Sequence, residues 1–173
     1  MKKIAFALEK FSRYAGGAES YAVSLATTLI DRGWEVHFFG ESWDGEPPQA
    51  VFHKIKIPQL MPTWLKLLWF AWRHKKLVGQ QPFDVVMGFG NTIYMNVYQS
   101  HGGVHQLSTA RKVYAEKTFL RRLIKRLLIT LSLKHWVRAW IEAAAFRIQP
   151  RPKIIAIAEM IQNDMVSFFH VRP

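Results

Sequence analysis

The chain has 173 residues, of which half are hydrophobic, and its formal net charge is +12. This length suits one well-buried domain and is short for two. The sequence contains no cysteine, which excludes a disulfide framework and a thiolate metal site and fits a reducing cytoplasmic compartment. No run of about 18 uninterrupted apolar residues is present, so we expect no spanning helix. The N-terminal apolar run is too short for a secretory signal.

The first predicted strand-to-helix turn organises the sequence. Apolar residues 4–8 predict a strand, Gly16 and Gly17 follow in a polar loop, and apolar positions within 20–32 recur at helical spacing. A glycine pair at a helix start lets the backbone approach a ligand, and free N–H groups of the first turn attract anions such as phosphate. A tight turn alone would also explain the glycines, and the dinucleotide-binding pattern G-x-G-x-x-G is absent. The local pattern leaves both interpretations open.

The rest of the chain alternates predicted strands and helices. Residues 35–40 and 83–90 predict buried strands, 51–57 predicts an edge strand, and 63–76 predicts a helix that ends in cations. This alternation is typical of an α/β fold with a Rossmann-like parallel sheet and helices on both faces. Ligands of such folds collect at the carboxyl ends of the strands. We therefore expect the glycine-rich loops at 16–17, 88–91 and 101–103 to converge.

The positive charge lies in the later part of the chain. Residues 1–46 hold seven acids against five Lys or Arg, whereas residues 111–147 hold ten Lys or Arg against two Glu. Apolar residues interleave with these cations at helical spacing, which predicts an amphipathic basic helix or helix pair. Such a segment suits an anionic membrane surface, although a core-packed helix with a solvated charged face would give the same pattern. The predicted membrane contacts are Arg121, Arg122, Lys125, Arg126 and Trp136.

Several short motifs, in this order, resemble retaining glycosyltransferases of family 4. They are Gly16-Gly17-Ala18-Glu19, residues 32–36, residues 83–86, His101-Gly102 and residues 154–159. The resemblance implies one half of a GT-B architecture, in which two Rossmann-like domains face each other across a cleft. Residues 1–173 would form the N-terminal, acceptor-side domain, with an interdomain linker beginning near residue 170 and the C-terminal donor domain outside the chain.

The resemblance also implies a function. Residues 41–45 and 114–117 are similar to bacterial enzymes that add a hexose to the lipopolysaccharide core. We expect the acceptor-binding half of a hexosyltransferase at the cytoplasmic face of the inner membrane, inactive by itself. Its partners would be a glycan or lipid-linked acceptor and a nucleotide sugar, such as a UDP-sugar. The other domain would hold most of the nucleotide sugar, and we expect no cofactor.

Two other classes of function remain as alternatives. The first is a non-catalytic basic module for anionic lipid or nucleic acid; nucleic acid is disfavoured because no recognisable reader motif is present. The second is a nucleotide-sugar epimerase or dehydrogenase, which the missing glycine-rich fingerprint disfavours.

The candidate site residues follow from the family pattern. His101 would lie near the reacting sugar and act as the catalytic residue. The residues assigned to donor or acceptor binding are Gly16, Gly17, Glu19, Gly90, Asn91, Gly102 and Gly103. Glu19 would equally complement the helix dipole, and Asn91 would equally occupy a left-handed turn.

No metal site is expected. His101 and His105 are four residues apart, but the intervening glycines oppose the helix that would bring them onto one face. The other five histidines form no recognisable group and are assigned structural roles.

Ala158 replaces the Ser that many relatives carry, so we expect a polar contact to be missing there.

Overall fold

A computed structural model describes residues 1–14, 16–45 and 49–171. Residues 46–48, where two consecutive prolines predict a loop, and residues 172 and 173 of the predicted linker lie outside the described ranges. Among the described residues the strands are β1 (Lys3–Ala7), β2 (Lys10–Ser12), β3 (Glu35–Gly40), β4 (Ser42–Asp44), β5 (Val51–Lys54), β6 (Val85–Gly88), β7 (Val97–Ser100) and β8 (Lys153–Ala156). The helices are α1 (Gly17–Asp31), α2 (Thr63–Val78), α3 (His105–Tyr114), α4 (Phe119–Leu131), α5 (Leu133–Ala145) and α6 (Glu159–Phe169).

Six strands form one parallel sheet in the order β5-β3-β1-β6-β7-β8. This confirms the predicted α/β fold with a parallel sheet. Strands β2 and β4 form a separate parallel pair beyond the ends of β1 and β3, which the sequence analysis did not predict. The chain runs outward in one direction from β1 and in the other direction from β6. The topological switch point, where such folds bind ligands, therefore lies between these two strands.

Alternate side chains of the central strands pack on opposite faces of the sheet. Phe6 and Phe38 contribute to the apolar core that includes the buried side of α1. Ala5 and Phe39 contribute to the core on the other face, which includes residues of α2, α5 and α6. Burial on both faces explains why the central strands read as nearly continuous apolar runs rather than as alternating ones.

Three consecutive helices, α3 to α5, connect β7 to β8. Helix α5 packs against α2, where Ile141 joins the buried residues Leu67 and Ala71. Helix α4 buries no residue. No helix of the described chain combines the length and the apolarity that a membrane span requires. The predicted basic segment thus forms two complete helices of different character, one docked on the domain and one exposed.

Candidate functional site

The loops that follow β1, β6 and β7 meet at the switch point. Asn91, after β6, donates a hydrogen bond from Nδ2 to Oε1 of Glu9, after β1, over 2.6 Å. Asn91 has φ of 35° and Gly90 has φ of 140°, so this turn uses backbone conformations that most side chains disfavour. Asn91 therefore does occupy a left-handed turn, and its amide also ties two of the three loops together.

His101, the residue after β7, lies in an aromatic pocket in this region. The centroid of its ring is 5.6 Å from that of Tyr21 on α1 and 5.6 Å from that of Phe89 after β6. Burial lowers the pKa of His101, and the nearby charge of Glu19 opposes that effect. The ring nitrogen Nε2 is shielded from solvent and has no hydrogen-bond partner among the described residues. A neutral imidazole with an unpartnered nitrogen can donate to, or accept from, a ligand hydroxyl.

The glycines of the three loops fall into two groups. Gly90 and Gly103 have positive φ, so glycine is explained there by the backbone alone. Gly17 and Gly102 have no positive φ, and a Cβ added at either would meet no atom of the described residues within 4 Å. A Cβ at Gly16 would make only an ordinary contact with Glu19. The tight-turn explanation therefore does not apply to Gly17, which forms the first residue of α1 rather than preceding it.

A charged pair supports the turn after His101. Arg111 on α3 makes two hydrogen bonds to the carboxylate of Asp164 on α6, at 2.6 and 2.5 Å. Asp164 is nearly buried, and its pKa is lowered chiefly by the hydrogen bonds from Arg111. A Cβ at Gly103 would lie 3.3 Å from Oδ2 of Asp164, so the glycine turn rests directly on this pair. The two residues are 53 positions apart in sequence, and no local motif could have predicted that they pair.

Glu142 on α5 is another residue whose role the sequence did not predict. Its carboxylate accepts hydrogen bonds from the backbone N–H of His105, at 2.9 Å, and from the hydroxyl of Tyr98, at 3.3 Å. Burial raises the pKa of Glu142 to about 7, and these two hydrogen bonds oppose the increase. The sequence held one signal that Glu142 has a structural role: it is an acid beside the apolar Ile141 within a strongly basic segment. Glu142 fixes the start of α3 directly after the His101 loop.

Helix α4 presents an apolar face to solvent. Leu120, Leu127 and Leu131 are between 53% and 79% exposed, and their helical spacing places them on one side. For α4 the interpretation as a core-packed helix with a solvated charged face is therefore wrong. It holds better for α5, which buries Ile141 and Ala145.

The five predicted membrane residues differ in how freely they face solvent. Arg121 and Arg126 are exposed. Lys125 bonds to Glu116 at 2.5 Å and to the carbonyl of Lys112, and Arg122 donates to the carbonyl of Glu116. Trp136 is 61% exposed, and its indole N–H donates to the carbonyl of Thr130.

Two pairs of histidines come together, although the sequence analysis found no grouping among these residues. His37 Nδ1 lies 2.9 Å from His53 Nε2, and His105 Nε2 lies 3.1 Å from His135 Nδ1. Burial lowers the pKa of His105 to about 4, with further lowering by the charges of His135, Arg138 and nearby lysines. No group of three or more His, Asp or Glu side chains in the described part of the chain could hold a metal ion.

Comparison with known proteins gives a consistent family assignment. The sequence model of Glycosyltransferase Family 4 matches residues 15–173. The chain is 28% identical to a lipopolysaccharide glucosyltransferase, WaaG of Escherichia coli K12, over 98% of its own length and 42% of the relative's length. It is also 32% identical over 95 residues, 54% of the chain and 26% of the relative, to a probable transglycosylase of Burkholderia thailandensis.

A solved structure agrees with these sequence matches. The crystal structure of WaaG, a glycosyltransferase involved in lipopolysaccharide biosynthesis, superimposes with a TM-score of 0.75 at 22% identity, over 98% of this chain and 42% of that chain. This likeness establishes the fold as one Rossmann-like half of a GT-B architecture. The chain spans less than half the length of the relatives it matches. The family model, the curated relatives and the fold agree: this chain belongs to glycosyltransferase family 4.

Proposed function

We propose that residues 1–173 form the acceptor-binding half of a retaining glycosyltransferase that transfers a hexose from a nucleotide sugar to a lipopolysaccharide or another cell-envelope glycan or lipid. The observation that carries the proposal is the meeting of three loops at the switch point around His101, whose shielded Nε2 has no hydrogen-bond partner in the part of the chain that the structure describes. The similarity to a lipopolysaccharide glucosyltransferase supports the substrate class.

In the proposed reaction an acceptor hydroxyl attacks the anomeric carbon on the face from which the nucleotide diphosphate departs. His101 would hydrogen-bond the reacting sugars, and the open backbone at Gly17 and Gly102 would let them approach closely. The protein's contribution would be positioning and stabilisation of charge, with no metal ion required. The nucleotide sugar would be held mainly by a second domain, so this chain alone should show no turnover.

The surface of α4 and the adjoining part of α5 would hold the enzyme at the cytoplasmic face of the inner membrane. The exposed apolar side chains of α4 would enter the headgroup region, and Arg121 and Arg126 would attract anionic lipid. Each cation near such a surface contributes about 1 kcal/mol. The two arginines together would strengthen binding by about thirtyfold.

The catalytic part of the proposal is tested with the purified chain and a core-truncated lipopolysaccharide. We expect the chain to bind this acceptor and to release no UDP from UDP-glucose. Gly17→Val should weaken acceptor binding without unfolding the chain, because a Cβ at Gly17 would meet no atom of the described residues within 4 Å and the added side chain would occupy space proposed for the acceptor. If the chain binds no glycan, or if the variant binds as well as wild type, the proposed site is wrong.

The membrane part is tested with anionic and neutral vesicles. Arg121→Gln combined with Arg126→Gln should weaken binding to anionic vesicles, and high salt should abolish the difference. Arg32→Gln combined with Lys75→Gln is the matched control, because it removes the same charge from exposed positions outside the basic helices. Equal losses of vesicle affinity in both double variants would contradict the assignment of α4 to the membrane surface. A preference for duplex DNA over anionic vesicles would favour the alternative of a nucleic-acid module.

A further inference from the structure

A recess of about 270 Å³ lies between helices α3 and α5. Its two helical walls present polar side chains at helical spacing, namely Ser108 and Lys112 on α3 and Arg138 and Glu142 on α5. At about 30 Å³ per water molecule, the volume suits a small polar group or one sugar ring rather than an oligosaccharide.

The recess shares two of its lining loops with the proposed site. Gly90 and Asn91, after β6, line it from one side, and Gly102 and Gly103, after β7, line it from another. The same loops surround His101. A group bound in the recess would therefore be part of the same ligand, on the acceptor side of the reacting hydroxyl.

The recess carries two cations that have no acidic partner among the described residues. Neither Lys112 nor Arg138 forms an ion pair with an acidic side chain in the described ranges. The buried Nε of Arg138 also has no hydrogen-bond acceptor there. A buried guanidinium nitrogen without an acceptor is costly, so its partner is expected to come from a ligand.

Glu142 would ordinarily be that partner, because residues four apart on a helix face each other. Here its two carboxylate oxygens are directed to the N–H of His105 and the hydroxyl of Tyr98. Burial keeps Glu142 partly protonated near neutral pH. The fixed positive charge of Lys112 and Arg138 therefore exceeds the negative charge in the recess.

We propose that this recess binds an anionic group, a phosphate or a carboxylate, on the sugar that accepts the hexose. The inference rests on the proposed function and narrows it, because it makes the acceptor a charged saccharide. Arg138 would bind two oxygens of the anion with its planar fork, and Lys112 would add charge. The anion would fix the orientation of the acceptor ring relative to His101.

The inference is tested by NMR titration of the 173-residue chain, following the arginine Nε–H signals and the backbone amides of Gly90 and Gly102. The four probes are glucose 6-phosphate, glucuronate, glucose and inorganic phosphate. We expect one of the two charged sugars to bind about tenfold or more tightly than glucose, in line with hydrogen bonds to charged groups. This sugar should shift the Arg138 Nε–H signal and the amide signals of Gly90 and Gly102. Whichever charged sugar binds more tightly identifies the anion as a phosphate or a carboxylate.

A matched pair of variants separates this site from general surface charge. Arg138→Gln should remove the preference for the charged sugar, whereas Lys134→Gln, which removes the same charge from an exposed position one turn earlier on α5, should change affinity less than twofold. Equal effects of the two variants would overturn the inference. The inference would also be overturned if glucose and the charged sugars shifted the amide signals of Gly90 and Gly102 to the same extent. That result would leave the proposed acceptor site standing. If inorganic phosphate reaches Arg138 while no sugar shifts the glycines, both proposals fail.

Discussion

Replacing Glu142 with glutamine should change how the stability of the domain depends on pH. Burial raises the pKa of Glu142 to about 7 from its ordinary value of 4.5. Between these two pH values the folded state holds a proton that the unfolded state has lost, so stability decreases as pH rises through this window. A difference of about 2.5 in pKa, at about 1.4 kcal/mol each, corresponds to about 3 kcal/mol. Glutamine is neutral at all these pH values and can keep the contacts with the His105 N–H and the Tyr98 hydroxyl.

The assay is urea unfolding of wild type and Glu142→Gln at intervals from pH 4.5 to 8, with the difference taken at each pH. We expect the two proteins to differ little at pH 4.5, and the variant to become relatively more stable by up to about 3 kcal/mol by pH 8. Taking the difference removes the contributions of other titrating groups. Parallel stability curves across the range would refute the reasoning, because they would mean that Glu142 titrates normally in the folded state.

Three further predictions concern other residues. In an enzyme that contains both domains, His101→Ala should lower kcat by tenfold or more while leaving vesicle binding unchanged, and equal turnover would remove His101 from the site. His74 is fully buried, has no hydrogen-bond partner among the described residues, and has its pKa lowered by burial to about 4, so its contribution to stability falls as pH drops from 6.5 to 4. His74→Leu should therefore reduce the loss of unfolding free energy between pH 6.5 and pH 4, measured by urea unfolding, by about 3 kcal/mol, and an unchanged loss would contradict this. Ala158 precedes α6 in an extended conformation and provides no side-chain cap, so Ala158→Ser should add about 1 kcal/mol to the free energy of unfolding. The gain is measured as a higher urea midpoint at constant m, and no gain would show that the hydroxyl fails to reach the N–H groups of the helix.

The sequence predicted the sheet because its strands are buried on both faces. Residues 35–40 and 83–90 are short, mostly apolar runs separated by helical segments, which is the pattern of a parallel α/β sheet. Strand ends with glycines then indicated where ligands collect, and the structure does bring the loops at Gly90 and Gly102 together. The parallel pair of β2 and β4 was missed, because three-residue strands give too short a pattern to recognise.

The sequence could not assign roles within the site. Gly17 and Gly90 look alike in sequence, but only Gly90 has a positive φ, so only the backbone conformation separates the two explanations for a glycine. Asn91 likewise was assigned to a turn or to a ligand, and the structure adds a bond to Glu9 that neither interpretation included.

By itself the sequence determined the class of fold, the family resemblance and the concentration of positive charge in residues 111–147, because periodicity, motif order and composition are properties of the chain alone. Only the tertiary structure decided which charges are free. It pairs Lys125 with Glu116 and Arg111 with Asp164. It leaves Arg138 without an acidic partner in the described part of the chain, because the carboxylate of Glu142 accepts from the N–H of His105 instead. The physical reason is that partners 9 to 53 residues apart meet through the packing of α3, α4, α5 and α6, which no local spacing records.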